Sequence, residues 1–309
     1  MFAQLFLQEG LEIDMNILKK IYAGWLWVLV KLFGIDCAKN FDSQLRFKRK
    51  LNLKHPQTLA DKVSFLVLHR CMVLMSKCAD KWVVREYIAD KGLSDILIPT
   101  VGGPWKSVEE IDFDALPEQF ILKATHACKM NYLVPDKRKL DVEHCKQILQ
   151  KWLNVTYGTY SLEPHYKNIP HQIYAEELLN TPNGLIDYKI HCLNGVPQFI
   201  LVCSDRKSGT GRMQVTLDLF DTQWKSLNRF VQGSGLEIRG QGKIPRPQTL
   251  DKMLEITRKL SVDFPFVRVD LYEVNGRIYF GELTFSPACG VFPYFTDEFI
   301  TEMGEKLRI

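Results

Sequence analysis

The segment FVRVDLYEVNGRIYFGELTF, residues 266–285, constrains the fold of this chain more than any other stretch. Two runs of apolar, aromatic and β-branched residues meet at Asn275-Gly276, which is a strong signal for a β-hairpin turn. The strands also carry Arg268, Asp270 and Glu282 among their apolar residues. Because charges on half-buried strands need partners, the segment predicts either a structural ion-pair network or a binding site.

The register of this hairpin decides whether its charges can act together. A two-residue loop at Asn275-Gly276 would send Asp270 and Glu282 to opposite faces of the sheet. A three-residue loop, Val274-Asn275-Gly276, with a G1 bulge at its glycine would place Glu282 opposite Arg268 and diagonal to Asp270. We therefore predict the three-residue loop, or another bulge with the same effect.

Two carboxylates and a guanidinium on one sheet face suit a divalent cation together with phosphate oxygens. Hard oxygen ligands bind Mg²⁺, and the planar guanidinium of arginine matches the geometry of phosphate. A structural arginine–carboxylate network is the alternative, since such networks also occur in sheets. The hairpin alone leaves both interpretations open.

Composition excludes several classes of protein. The chain has 309 residues, of which 46% are hydrophobic and 25% charged, as expected for a globular protein with two or three lobes. A net charge of +4 falls short of a nucleic-acid-binding signature but fits an anionic substrate. The eight cysteines are scattered without a C-x-x-C pair, which predicts reduced thiols in preference to disulfides or a zinc site.

The N-terminal segment contains an apolar run, residues 21–30, with two tryptophans and a preceding Lys19-Lys20. Ten residues are too few to cross a bilayer. The run is either a helix packed on the body or a helix lying on a membrane surface, with the basic stretch at 46–50 near acidic lipid. A signal peptide is a further alternative, although no A-x-A-like cleavage site follows, and Met15 is an alternative start.

Two lysines lie where a nucleotide phosphate could be held. Lys81 shares one face of a helix with Arg85, which is either a solvated face or part of a site. Lys123 lies inside the apolar strand Phe120 to Ala124, where its stem can be buried while its ammonium reaches a phosphate. Lysines also protect edge strands against aggregation.

A second predicted hairpin carries further polar groups. Its first strand runs from Asp187 to Leu193. Asp187, Lys189 and His191 share one face of that strand, and we expect His191 to be structural. The second strand closes with Ser204-Asp205-Arg206, polar groups at a position where chemistry often occurs, and Arg206 is therefore a candidate catalytic residue.

Taken in order, these segments resemble the ATP-grasp superfamily and, within it, the TupA-like group named for teichuronopeptide biosynthesis. The resemblance covers about residues 51–295 and is carried by ADK at 79–81, VREY at 84–87, FILK at 120–123, AEEL at 175–178, DYK at 187–189, SDR at 204–206, FPFVRVDLY at 264–272 and YFGELTFSP at 279–287. It implies an α+β fold in which the nucleotide is held between two α+β lobes with mainly antiparallel sheets.

The resemblance also implies a domain organisation. It divides the chain into an N-terminal apolar and basic helical segment (1–50), an N-terminal lobe (51–118), an ATP-grasp lobe carrying the strand lysine (119–180) and a C-terminal ATP-grasp lobe with the metal-binding hairpin (181–309).

The resemblance assigns roles to single residues. Lys81 and Lys123 would contact the ATP phosphates, and Glu176 and Glu177 would hold adenine and ribose. The transferring phosphate would face Lys189 and Arg268, and Mg²⁺ would be held by Asp270, Glu282 and Thr284, the last standing where the family commonly has asparagine. The family's glycine-rich phosphate loop is replaced by His126-Ala127-Cys128-Lys129, and this departure puts loop closure in question.

The activity implied is that of an ATP- and Mg²⁺-dependent carboxylate–amine ligase acting through an acylphosphate on a cell-surface polysaccharide precursor, such as a uronic acid joined to an amino acid or amine. We expect a cytoplasmic location with peripheral membrane contact through residues 17–50, and no nucleic-acid partner. An ATP-grasp-type kinase and a non-catalytic nucleotide- or glycan-binding protein of a polysaccharide assembly complex are the alternatives.

Overall fold

The structure is a computed structural model that describes residues 15–70, 72–158, 162–179, 181, 184–209, 212–233 and 237–309, with side chains described outside 15–20 and 206–213. Its α-helices, in chain order, are α1 (Met15–Phe33), α2 (Ile35–Phe47), α3 (Leu59–His69), α4 (Val73–Ala79), α5 (Val84–Asp90), α6 (Val142–Leu153), α7 (Leu250–Ser261) and α8 (Asp297–Lys306). Its strands are β1 (Thr100–Trp105), β2 (Phe120–Ala124), β3 (Asn131–Val134), β4 (Ile173–Glu177), β5 (Asp187–Leu193), β6 (Val196–Gly209), β7 (Arg212–Asp221), β8 (Glu237–Arg239), β9 (Phe266–Val274) and β10 (Arg277–Thr284).

The strands form two sheets, and together with the helices they confirm the predicted α+β class. A four-stranded sheet has the order β1-β4-β2-β3, and a six-stranded sheet has the order β10-β9-β5-β6-β7-β8. Every pairing is antiparallel except that of β7 with β8. The predicted lobe boundaries at 50, 118 and 180 stay predictions.

Each sheet is held by its own apolar core. Alternating buried residues on β2 and β4 pack with α6 beneath the small sheet. Two larger clusters cover the faces of the six-stranded sheet, one formed with α4, α5 and α7 and the other with α3 and α8. Because α7 and α8 follow amphipathic patterns, these helices bury one face on the sheet and expose the other.

The hairpin of β9 and β10 has a different register from the one we predicted. Its loop has two residues, Asn275 and Gly276, both with positive φ (53° and 73°), the geometry of a type I′ turn. The bulge lies further along, at Gly281, where the pairing shifts between Phe280 and Glu282. The three-residue loop was wrong, but the bulge at Gly281 has the same effect on the faces of the sheet.

As a result, the hairpin charges share one face through different pairs. Glu282 lies directly opposite Asp270, and Thr284 lies opposite Arg268. Strand β5 adds Lys189 opposite Asp270 on the other side of β9. Three neighbouring strands of the six-stranded sheet therefore deliver their charged side chains to one place.

The N-terminal helices α1 and α2 lie outside these cores. On α1, Leu26 is buried, whereas Trp25 and Trp27 are each 60% exposed. Helix α2 is attached to the body by Lys39, which donates to the Cys289 carbonyl at 2.7 Å, and Arg49 in the following segment donates to the carbonyls of Val291, Phe292 and Phe295. In the described part of the chain, no helix has both the length and the hydropathy needed to cross a membrane.

Candidate nucleotide and metal site

A cluster rich in carboxylates lies on β5, β9 and β10. Arg268 donates to Asp270 through Nε at 2.6 Å and Nη2 at 2.7 Å, and through Nη2 also to Glu282 at 2.9 Å. Lys189 donates to Asp270 and lies 2.6 Å from Asp187. We call Asp187, Lys189, Arg268, Asp270 and Glu282 the carboxylate-rich cluster; it sets three carboxylates against two cations.

The two metal-ligand candidates differ in electrostatics and in access. Burial opposes ionisation of Glu282, but Lys81, Arg268 and Lys189 outweigh it and lower the pKa of Glu282 to about 2. Burial raises the pKa of Asp270 above its usual value, against the effect of Arg268 and Lys189. The Glu282 side chain is 33% exposed and that of Asp270 only 2%. Glu282 is therefore the carboxylate that a ligand can reach first.

A second cluster, rich in cations, lies on the four-stranded sheet and the adjoining helix. Glu176 on β4 accepts from Lys123 at 2.5 Å and from Arg85 at 3.2 Å. On the neighbouring strands β2 and β4, Ile121 pairs with Glu176 and Lys123 pairs with Tyr174. Lys123 and Glu176 are therefore diagonal neighbours on one face of the sheet. We call Lys81, Arg85, Lys123 and Glu176 the cation-rich cluster; it sets three cations against one carboxylate.

Lys81 connects the two clusters. It follows Asp80, whose carboxylate caps the next turn by accepting from the backbone N–H groups of Trp82 and Val83. Burial lowers the pKa of Lys81, an effect that Lys123 strengthens and Glu282 opposes. The ammonium is thus close to charges of both sheets.

The glycine-free segment 126–129 is attached to the protein through its own side chains. His126 is buried, stacks on the His171 ring at a centroid distance of 4.0 Å, and contacts the Trp152 carbonyl at 3.1 Å. The Ala127 carbonyl accepts from Lys81, and Cys128 Sγ lies 2.6 Å from Tyr157 Oη. These bulky residues occupy the position where the family resemblance implies a glycine-rich loop.

Most of the predicted site residues fall into the two clusters. Glu177 is an exception, since it ends β4 and is exposed, and its role stays a prediction. The side chain of Arg206 lies outside the described residues. His191 is buried against the Phe199 ring, and its Nδ1 lies 3.0 Å from the Lys189 carbonyl, which agrees with the structural role we expected.

Sequence reasoning did not assign Asp187 or Arg85 to the site. Alternation had already placed Asp187 on the face of Lys189, and helical spacing had placed Arg85 beside Lys81. The missing information was the pairing of β5 with β9, and the contact of α5 with β4, neither of which is local in sequence.

The donor set of the hairpin fits a magnesium ion. Among the described residues, no group of three or more His, Cys, Asp or Glu side chains is arranged to hold a metal by itself. Mg²⁺, however, commonly uses one or two carboxylates and completes its shell with water and substrate phosphates. Asp270 and Glu282, with the Thr284 hydroxyl 2.9 Å from Glu282, match that requirement.

The chain has two mainly antiparallel sheets, a small one that carries Lys123 of the cation-rich cluster and a larger one that carries the carboxylate-rich cluster. This is the arrangement that the resemblance to the ATP-grasp class of protein implies. The family model described as TupA-like ATPgrasp matches residues 61–308, more than half of the chain. The chain belongs to this TupA-like ATP-grasp family, whose wider superfamily binds ATP.

Solved structures give remote similarities. The N5-carboxyaminoimidazole synthase of Aspergillus clavatus, solved with ADP and 5-aminoimidazole ribonucleotide, shares 11% identity over 68% of this chain and 44% of its own, with a TM-score of 0.40. The D-alanine–D-alanine ligase of Helicobacter pylori shares 14% identity over 82% of this chain and 70% of its own (TM-score 0.41). A D-cycloserine synthetase shares 15% identity over 76% of this chain and 72% of its own, with a TM-score of 0.41. No curated protein matches the chain in sequence.

Proposed function

We propose that this protein is an ATP- and Mg²⁺-dependent carboxylate–amine ligase. The observation that carries the proposal is the pairing of a cation-rich cluster with a carboxylate-rich cluster, joined at Lys81. A nucleotide triphosphate is a strong anion that travels with a divalent cation. Its phosphates suit the cation-rich cluster, and its metal suits the carboxylate-rich cluster.

Each cluster has a role in phosphoryl transfer. Lys81 and Lys123 neutralise the phosphates, and Lys189 and Arg268 face the group that is transferred. Asp270, Glu282 and Thr284 would hold Mg²⁺, which supplies charge neutralisation at the phosphate oxygens. Glu176 fixes the position of Lys123 through their 2.5 Å ion pair, so that the ammonium is oriented before the nucleotide binds.

The reaction overcomes the poor electrophilicity of a carboxylate. Transfer of the γ-phosphoryl group to a carboxylate oxygen gives an acylphosphate and ADP. An amine then attacks the acyl carbon, phosphate leaves, and an amide forms. The protein supplies positioning and charge neutralisation for both steps.

We further propose a uronic acid of a cell-surface polysaccharide precursor as the carboxylate, an amino acid or amine as its partner, and a cytoplasmic location next to the membrane. The family resemblance supports this substrate class. The membrane contact is supported by the exposed apolar surface of α1, where Ile21, Trp25 and Trp27 are each at least half exposed, within residues 17–50.

The test is ADP release with candidate uronates and amines, with and without Mg²⁺, together with mass spectrometry of the product. The wild type should give an amide, whereas a stable phosphoester would identify a kinase instead. Asp270→Asn, assayed where it remains folded, should lose at least 100-fold in turnover, and Asp263→Asn, which breaks an ion pair with Lys91 away from the site, should not. Turnover unaffected by Asp270→Asn would refute the proposal.

One observation favours a second candidate, a non-catalytic nucleotide- or glycan-binding protein. Lys81 already donates to the Ala127 carbonyl within the glycine-free segment, which leaves fewer of its three N–H donors for a phosphate. Calorimetry separates the two functions. Binding of ATP and Mg²⁺ with no hydrolysis under any substrate combination would support the second candidate over the ligase.

A further inference from the structure

A pocket of about 450 Å³ opens between α3 and the start of β9, outside both clusters. Its walls are apolar and include Val63, Leu66 and Val67 of α3, with Phe285 behind them. The volume falls within the range of roughly 300–1,000 Å³ that is typical of small-molecule sites. Such a lining excludes polar metabolites, because their groups would lose hydrogen bonds to water without replacement.

One charged residue lines this pocket, Arg70 at the C-terminal end of α3. Its neighbour His69 pairs with Asp36 at 2.6 Å, whereas Arg70 has no acidic partner among the described residues. Its guanidinium lies 5.8 Å from the centroid of the Phe65 ring and is exposed. An exposed guanidinium beside an apolar pocket matches a ligand with an anionic head and a hydrocarbon tail.

The surroundings of the pocket are apolar as well. Met72 and Val73, which follow Arg70 in the chain, are 37% and 76% exposed. The contact between His69 and Asp36 also brings the junction of α1 and α2 next to the end of α3. Leu32 and Phe33, at the end of α1, are 68% and 65% exposed. Exposed apolar residues beside a pocket, here Met72 and Val73, and on a neighbouring helix are typical of a surface that meets lipid.

We propose that this pocket binds a single hydrocarbon chain of a phosphate-headed lipid, with Arg70 on the phosphate. The apolar walls take the chain, the guanidinium takes the head group, and the exposed residues of α1 and of the turn after α3 rest on the lipid surface. Lipid binding here is independent of the ligase reaction, so each can fail without the other.

Calorimetry with soluble amphiphiles below their micelle concentration tests the proposal. Dodecyl phosphate should bind at least tenfold more tightly than octyl phosphate, because each buried methylene adds to the affinity, and butyl phosphate should not bind measurably. Arg70→Gln should weaken dodecyl phosphate at least fivefold and leave the neutral dodecyl maltoside unchanged. The matched control, Arg138→Gln, removes an exposed arginine in the short helical turn after β3 and should change neither affinity.

Methyl NMR of the methionines locates the bound chain without relying on a destabilising variant. Dodecyl phosphate should shift Met75, which lines the pocket, and Met72 at its opening, but not Met303 on α8. Failure to bind, equal affinity for all chain lengths, or unchanged Met75 signals would each overturn the proposal. Binding that appears only after deletion of residues 1–14 would also overturn it, because the chain itself would then be the occupant.

Discussion

The cation-rich and carboxylate-rich clusters are built from similar residues but are left in opposite electrostatic states. On the four-stranded sheet, Glu176 pairs with Arg85 and Lys123, and the cluster that includes Lys81 keeps an excess of positive charge. On the six-stranded sheet, Lys189 and Arg268 do not fully balance Asp187, Asp270 and Glu282. The excess of cations in the first cluster favours an anionic ligand, and the excess of carboxylates in the second favours a cation.

The difference also lies in how firmly each cluster is held. Arg268 and Asp270 are buried and share two hydrogen bonds within one strand, and neighbouring strands fix their partners. In the cation-rich cluster, Lys81 depends on a backbone carbonyl of segment 126–129. We infer that the carboxylate-rich cluster is preorganised, whereas the cation-rich cluster completes its arrangement when the nucleotide binds.

The largest expected effect concerns the buried network. Asp270→Asn leaves Lys189 paired with Asp187 and Arg268 paired with Glu282. Its amide cannot accept all the buried hydrogen bonds that Arg268 and Lys189 donate to the Asp270 carboxylate, and the loss should cost about 3–5 kcal/mol of unfolding free energy. Asp263→Asn, at the more exposed pair with Lys91, should cost about 0–1 kcal/mol. Urea unfolding measures both. If Asp270→Asn lowered the free energy of unfolding by less than about 1 kcal/mol, the carboxylate-rich cluster would not be the preorganised one.

The second effect concerns affinity for the nucleotide. In the proposed complex Lys123 donates one charge-assisted hydrogen bond to a phosphate. Lys123→Met should remove that bond, worth about 2–3 kcal/mol, and raise the Kd for ATP by roughly 30- to 160-fold. Lys139→Met, at an exposed lysine of the same region, should leave Kd unchanged. Calorimetry with ATP measures these Kd values. Equal Kd values for Lys123→Met and the wild type would show that Lys123 does not contact the nucleotide.

The third effect is a dependence of ATP affinity on pH, because lysines of the two clusters have pKa values shifted in opposite directions. Burial lowers the pKa of Lys81. Burial and the nearby Arg268 also lower the pKa of Lys189. The carboxylates of Asp187 and Asp270 outweigh both effects, so the pKa of Lys189 is raised. As pH rises, Lys81 therefore loses its proton first, and affinity for ATP should fall by up to about tenfold per pH unit above that pKa.

Titration of ATP binding in alkaline buffers measures this fall. Lys81→Arg should abolish it, because a guanidinium stays protonated throughout that range. The same decline in Lys81→Arg and in the wild type would mean that another group carries the pH dependence.

The sequence predicted much of this architecture because its signals were local. The strand Phe120–Ala124 and the strand Asp187–Leu193 have the predicted bounds, since alternation and flanking turns define them. The grouping of Asp270 with Glu282 was also predicted. Their exact pairing was not, because a glycine within a strand can mark a bulge or a weak position, and Gly281 gave no local sign of which applied.

Contacts between distant segments were less predictable. The turn at 288–290 has three consecutive residues with positive φ, Ala288, Cys289 and Gly290, of which only the glycine favours that conformation. Lys39 of α2 donates to the Cys289 carbonyl. No periodicity in residues 1–50 indicates this attachment, because it depends on tertiary packing and not on local preference.

The bulge at Gly281 offers the smallest but most specific test of the comparison. A Cβ added there would lie 3.0 Å from the Asp270 carbonyl oxygen and 3.1 Å from Cε2 of Tyr272. Gly281→Ala should therefore cost about 1 kcal/mol in stability and raise the Mg²⁺ concentration for half-maximal ADP release several-fold, because Asp270 and Glu282 must shift together. Gly24→Ala, in open space on α1, should change neither the Mg²⁺ requirement nor affinity for ATP. The opposite result would be a weaker affinity for ATP measured in the absence of Mg²⁺, with an unchanged Mg²⁺ concentration for half-maximal ADP release. In that case the assignment of the metal to the carboxylate-rich cluster would be wrong.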